Sequence, residues 1–336
     1  MSTRTSIILL CLTLASGASA QQDIQFSQYV FNGLSLNPAY AGYHGAPTLN
    51  ASFRDQWAGF PGAPKTAVLS LDGLTNQTEG RTGLGVQMLY DQLGPQQNYS
   101  LTGYYSYRIP LNDDEDDPHR LCLGIGAVAS QYSLNGTVLQ YSDPNDPSFP
   151  QVDVRSKIVP DASFGAYYYT NDFYAGASLM NLFSLNSNRV VYLANGSTYA
   201  SLLESTQLYF TVGGMVTLAD GVKMKPSFLL KDDFQGPANA DFNALFLLDE
   251  KLWVGGSYRS AVKMLDNNHS LPGNLSASDA ASLMVEFFAT PQLRIGYAYD
   301  FTTSGLSNYQ TGSHELSLTI SFEKKVDTHT ECPRYF

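Results

Sequence analysis

Three side chains near the C-terminus, Asp300, Ser313 and His314, are of the types that build a Ser-His-Asp hydrolase. In such a site the imidazole takes the hydroxyl proton and the carboxylate orients the imidazole. Their spacing argues against it. Ser313 and His314 are adjacent in a stretch that alternates polar and apolar residues, so they point to opposite faces of a strand and meet only across a bulge. The five histidines (His44, His119, His269, His314, His329) are dispersed, with no i, i+4 pair and no cysteine at zinc spacing. The acidic run Asp113-Asp114-Glu115-Asp116-Asp117 would attract calcium, but it lacks the glycine and closing glutamate of an EF-hand loop. A solvated turn accounts for it. "DPNDP" (143–147) reads as a rigid turn. No catalytic residue, metal site or cofactor is expected, and the chain does not read as an enzyme.

The elements that would have to position such residues carry the stronger signal. In "LRIGYAYDF" the odd positions Leu293, Ile295, Tyr297, Tyr299 and Phe301 are large and apolar, and the even ones are charged or small. A period of two means a strand with two unlike faces. "SLTISF" (317–322), "YSLTGYYSYRI" (99–109), "LCLGIGAVAS" (121–130) and "LYFTVGGMVTL" (208–218) repeat the pattern. Fourteen such strands are expected, near 47–57, 64–73, 81–91, 97–109, 119–132, 161–170, 172–181, 206–218, 221–231, 240–248, 251–260, 280–288, 292–302 and 312–323. At about 9–13 residues they are long enough to cross a bilayer at a tilt.

From the sixth strand onward, tight turns (Thr170-Asn171-Asp172, Ala219-Asp220-Gly221, Asp249-Glu250, Thr290-Pro291) alternate with long connections (182–205, 232–239, 261–279, 303–311). This rhythm belongs to an up-and-down barrel whose two rims face different compartments, and a Greek-key sandwich has no reason to keep it. The apolar face carries aromatics at strand ends (Tyr90, Tyr107, Phe301, Phe322), whereas the other face carries Gly, Ser, Thr, Gln, Arg and Asp. A soluble barrel would be the reverse. The expected fold is all-β: a transmembrane up-and-down antiparallel β-barrel of the outer membrane, with about fourteen strands and an irregular N-terminal segment. Its apolar face touches lipid.

Residues 1–20 read as a signal peptide, with Arg4 before the apolar "SIILLCLTLA" and a small-residue cleavage site at Ala18-Ser19-Ala20. The expected organisation is then a lead segment at 21–46, periplasmic or packed in the lumen, a barrel at 47–323 and a periplasmic tail at 324–336. An even strand count returns the chain to its starting side, so both ends are expected in the periplasm, with the longer connections at the cell surface. A formal net charge of −11 argues against nucleic-acid binding. Cys122 and Cys332, the cysteines beyond the signal, are too few for a disulfide framework.

The segment "QFSQYVFNGLSLNPAYAGYHG" (25–45) is rich in aromatics without either clean period. Phe26, Tyr29, Phe31, Asn37 and Tyr40 are the residues expected to pack into a lumen or against a partner. Whether that lumen is open or filled, the sequence leaves undecided.

"FSQYVFNGLSLNPAYAG" followed by "FRDQWAGFPGAPKT" resembles the opening of the PorP/SprF family of type IX secretion system membrane proteins. The likeness continues through "GLGVQMLYDQLGP", "YSYRIPL", "KPSFLLK", "WVGGSYR", "RIGYAYDFT" and "GSHELSLTISF", in order along nearly the whole mature chain. It implies an outer-membrane barrel without catalytic residues that works with the type IX machinery. Its implied partner is a large secreted cargo such as a gliding adhesin, met through the cargo's C-terminal sorting domain, with other type IX components as further partners. A solute-conducting pore is the alternative. On this chain Arg54, Gln56 and Trp57 stand at the top of the first strand beside a loop stiffened by Pro61 and Pro64. Trp and Arg suit partner contacts because they bury much area and offer directed donors; Trp57 is equally readable as a girdle residue. Tyr141, Phe149, Tyr192 and Tyr199 in the long connections are the remaining candidates for cargo contact.

Overall fold

A computed structural model describes residues 26–75, 80–114, 118–138, 153–185, 191–192, 198–199, 204–234, 237–262 and 278–322. Fourteen strands form the wall. The first seven are β1 (Thr48–Asp55), β2 (Lys65–Thr75), β3 (Thr82–Leu93), β4 (Gln96–Pro110), β5 (Arg120–Asn135), β6 (Val159–Tyr169) and β7 (Phe173–Met180). The second seven are β8 (Gln207–Gly214), β9 (Val222–Asp232), β10 (Ala238–Leu248), β11 (Leu252–Val262), β12 (Ser278–Phe288), β13 (Leu293–Thr302) and β14 (Ser313–Ser321). Each pairs antiparallel with its sequence neighbours, and β14 pairs with β1 from Thr48↔Ser321 to Asp55↔His314, which closes the barrel. Closure leaves no strand edge to be satisfied within the bilayer.

The alternation seen in the sequence sets the two faces. On β4, Tyr99, Leu101, Tyr105 and Tyr107 are exposed while Asn98, Thr102, Tyr104, Ser106 and Arg108 are buried. On β13 the exposed side chains are Ile295, Tyr297 and Phe301, and on β14 they are Leu316 and Leu318, so the large apolar residues face lipid. Each such side chain gains roughly 1.5–3 kcal/mol when apolar surroundings replace water. No helix among the described residues is long and apolar enough to cross a membrane, and the crossing is made by strands.

From β6 onward the long connections share one rim and the tight turns the other. Before it the rhythm breaks: Gly94-Pro95 between β3 and β4 is short on the long-loop rim, and residues 111–119 between β4 and β5 make a nine-residue connection on the opposite one. One strand differs from its expected form. The alternation over 208–218 suggests a single strand, but β8 stops at Gly214, where it loses its pairing with β7, and Val216–Ala219 pair with β9 alone and are exposed on both faces. The two consecutive glycines allow the break. The expected signal peptide at 1–20 and the expected tail after Phe322 lie outside the described residues.

Candidate functional site

The lumen is filled. Residues 26–45 run inside the wall as three short 3-10 turns, Tyr29–Phe31, Gly33–Ser35 and Pro38–Tyr40. The Asn37 side chain accepts from the Ala39 N–H at 2.9 Å, and Pro38 takes the first helical position, where a missing N–H costs nothing. Phe26 is partly buried; Tyr29, Phe31, Asn37 and Tyr40 are buried. Two apolar contacts split the segment. Tyr29, Val30 and Phe31 pack with Tyr209, Leu229, Leu245, Leu247, Trp253 and Met284 on one side of the wall. Leu34, Ala39, Tyr40 and Tyr43 pack with Tyr104, Tyr167, Tyr169 and Tyr174 on the other.

The wall makes room by carrying glycine. Gly83 on β3, Gly124 on β5, Gly165 on β6 and Gly296 on β13 face the segment. A Cβ at these four positions would fall well under 3.0 Å from Ala41 O, Ala39 N, Asn37 Oδ1 and Gln28 Oε1 respectively. Glycine weakens a strand interior and marks the close approach of another backbone. Here that backbone is the plug.

Polar contacts lock it at both ends. At the long-loop end the Ser27 and Gln28 N–H groups donate to Glu315 at 2.9 and 3.0 Å, and Ser27 Oγ donates to Asp300 at 2.7 Å. Arg54 binds both carboxylates, Asp300 at 2.5 Å and Glu315 at 3.1 Å, with Arg54 only 2% exposed. Arg259 pairs with Asp241 at 3.0 Å and donates to Ser27 Oγ at 3.3 Å. At the tight-turn end Gly42 N donates to Asp72 at 2.8 Å, while Arg108 donates to Gly42 O at 2.9 Å and Ser106 to Ala41 O at 2.6 Å. Such charged groups are stable at membrane depth because they face the lumen and are paired.

The side chains that suggested a hydrolase do not assemble. Ser313 is buried and its Oγ accepts from the Trp57 N–H at 3.1 Å; Asp300 is engaged by Arg54; His314 lies on the exposed face against Tyr297.

The rim candidates divide. Arg54 belongs to the lumenal clamp and not to the surface. It follows Asn50 and Ser52 on the inward face of β1, while Phe53 points out. Gln56 and Trp57 are half-buried in the connection after β1, with Trp57 at φ 52. That connection is tied to its neighbours: Ala58 N donates to Gly312 O at 2.7 Å, Thr311 N to Ala58 O at 2.9 Å, and Gly94 N to Gly62 O at 2.9 Å. Tyr192 and Tyr199 belong to two-residue strands that pair with each other, Thr198↔Tyr192 and Tyr199↔Val191. Tyr141 and Phe149 lie outside the described residues. The buried partners of the plug, notably Asp300, Glu315, Asp241 and Arg259, were not among the expected functional residues, although all four fall on inward positions of alternating strands.

Among solved structures, the chain is similar to the outer membrane protein Omp33 of Acinetobacter baumannii at 11% identity, covering 84% of this chain and 100% of that one, with a TM-score of 0.41. It is similar to the CymD monoaromatic hydrocarbon channel at 12% identity, covering 90% and 94%, with a TM-score of 0.46. A Pseudomonas aeruginosa FadL homologue is 13% identical over 91% and 96%, with a TM-score of 0.41. Comparison with curated proteins finds no match. The sequence profile of the type IX secretion system membrane protein PorP/SprF family matches residues 18–320, nearly the whole chain. The chain belongs to that family, and its barrel is an outer-membrane one.

Proposed function

We propose that this protein is a non-enzymatic partner and anchor. It binds a large secreted surface protein, such as a gliding adhesin, through that cargo's C-terminal sorting domain, and holds it at the cell surface or helps export it. The observation that carries this reading is the plug. A solute pore needs a continuous water path through the wall, and residues 26–45 occupy that space with buried side chains and paired charges.

With the lumen closed, the surfaces left to act are the rims. The rim of the long connections is pre-organised by the backbone bonds from Ala58 to Gly312 and from Gly62 to Gly94, so little freedom is lost when it meets a partner. Gln56 and Trp57 stand on it, and Tyr141, Phe149, Tyr192 and Tyr199 belong to connections that lead from the same rim. Contacts with other type IX components would use these surfaces too, and membership of the family supports such contacts.

Two measurements test the reading. Purification in mild detergent from the native host should bring down one large secreted protein, and the purified barrel in planar bilayers should stay electrically silent. Steady conductance without a co-purifying cargo would replace this reading with a pore.

A further inference from the structure

The tight-turn rim has a step in it. From β9 to β12 the strands stay paired to their ends, with Val222↔Leu248, Leu248↔Leu252 and Leu252↔Phe287. Between β7 and β8 the wall stops earlier. Gly214↔Phe173 is the last pair there, and Met215 N donates to Asp172 O at 2.8 Å. Val216–Ala219 then runs on past the turn at 170–172 for four residues, about 13 Å at ~3.3 Å per residue, with β9 on one side. Among the described residues no strand pairs with its other side. This edge stands in water, because unpaired N–H and C=O groups cannot lie in hydrocarbon, and the exposed Asp172 and Asp220 bracket it. Val216 is 49% exposed and Leu218 54%, so neither wall nor lumen covers them. The register with β9 shifts between Thr217 and Ala219, a bulge of the kind that re-aims a side chain. The other common guards of an edge, a charge or a proline on the strand, are missing from Val216–Ala219.

We propose that Val216–Ala219 is a docking edge for a short extended segment of a protein partner in the periplasm, which adds to the wall as one more strand. The long connections face the cell surface, so the step faces the periplasm. In strand addition, main-chain hydrogen bonds supply affinity and alternate side chains supply specificity. The edge sets the occupant's form. Its backbone calls for an extended chain of about four residues, and Val216 and Leu218 call for apolar side chains on the outer face. Asp172 at one end and Asp220 at the other call for a basic residue at each end of the segment. Lys223, opposite Thr217, does not neutralise them, since it is paired with Glu250 at 3.0 Å. A second copy of this chain fits poorly, because a two-fold contact would bring the same two acids together. The contact is separate from the cargo reading, which concerns the opposite rim.

Amide hydrogen exchange across Val216–Ala219 tests this on the purified full chain in lipid nanodiscs. The probes are three synthetic heptapeptides: alternating valine and threonine with lysine at both ends, the same peptide N-methylated at every residue, and a version with glutamate at both ends. The lysine-ended peptide should slow exchange about tenfold or more. The N-methylated peptide should leave it unchanged, since it keeps the side chains but has no N–H to pair, and the glutamate-ended one should protect much less. Leu218→Lys places a charge on the edge without touching the lumen, and it should abolish the protection while the barrel unfolds in urea as the natural one does. The proposal is overturned if no peptide slows exchange, or if the N-methylated peptide protects as well as its parent. It is equally overturned if the edge is already protected without peptide in a barrel that sediments as a dimer, because a second copy would then be the occupant.

Discussion

Arg54 gives the most quantitative test of how the plug and the barrel seam are held together. Its guanidinium sits between Asp300 at 2.5 Å and Glu315 at 3.1 Å, on three strands that meet where β14 closes on β1. All three side chains are at most 3% exposed. Arg54→Met keeps most of the side-chain length but leaves two buried carboxylates facing each other. Breaking a buried pair by removing one partner costs about 3–5 kcal/mol. The chain has one escape, which is to protonate a carboxylate. From an ordinary carboxyl pKa of ~4.3 that costs roughly 4 kcal/mol at neutral pH, and about 1.4 kcal/mol less for each pH unit below it. The expected loss is therefore about 3–4 kcal/mol at pH 7, shrinking as the medium is acidified. The assay is urea unfolding of barrels in lipid vesicles followed by tryptophan emission, for which Trp57 and Trp253 are the natural reporters. Adding Glu315→Gln to Arg54→Met should recover about half of the loss, because one of the two stranded charges is gone. Arg54→Lys should recover less than the natural residue, since an ammonium cannot fork across two carboxylates. A loss under about 0.5 kcal/mol, or no recovery with Glu315→Gln, would refute the clamp.

Two further outcomes follow from the same geometry. Gly83→Val with Gly124→Val drives a side chain into Ala41 and Ala39, at about 1–3 kcal/mol per site, so the plug should lift and conductance in planar bilayers should rise above that of the natural barrel. Trp57→Gly removes the indole while suiting the positive φ of 52; partner capture should fall about thirtyfold with assembly unchanged, and failed assembly would mark Trp57 as a girdle residue instead.

The wall was legible because one rule, alternation, governs every stave. A strand between lipid and a hydrated interior must be apolar on one side and polar on the other, and "LRIGYAYDF" states this in nine residues. The same rule places Arg54 inward, two positions on from Ser52 and next to the outward Phe53. Read instead as the tip of a rim beside Trp57, Arg54 looks like a surface anchor. The error lies in letting the neighbouring loop outweigh the period of the strand. The break at Gly214 follows a different logic: alternation continues in sequence through Val216 and Leu218, but β7 has ended, so no partner strand remains to extend the wall.

The plug was harder to see, since its path has no period of its own. Residues 26–45 turn every few positions to fit a cavity made by other segments, so each side chain is placed by a partner far away in sequence, as Asn37 is by the carbonyls of Ala166 and Ala177. The information nevertheless lies in the wall. A strand lining an open, hydrated lumen has no reason to give up side chains at inward positions, and glycine there costs backbone entropy without gaining contacts. Inward glycine recurs on β3, β5, β6 and β13, at Gly83, Gly124, Gly165 and Gly296, and each site is occupied by plug atoms. Inward glycines recurring across separate staves are the sequence trace of a second backbone inside the barrel. Read that way, the strands themselves report a filled lumen and direct the search for function to the rims.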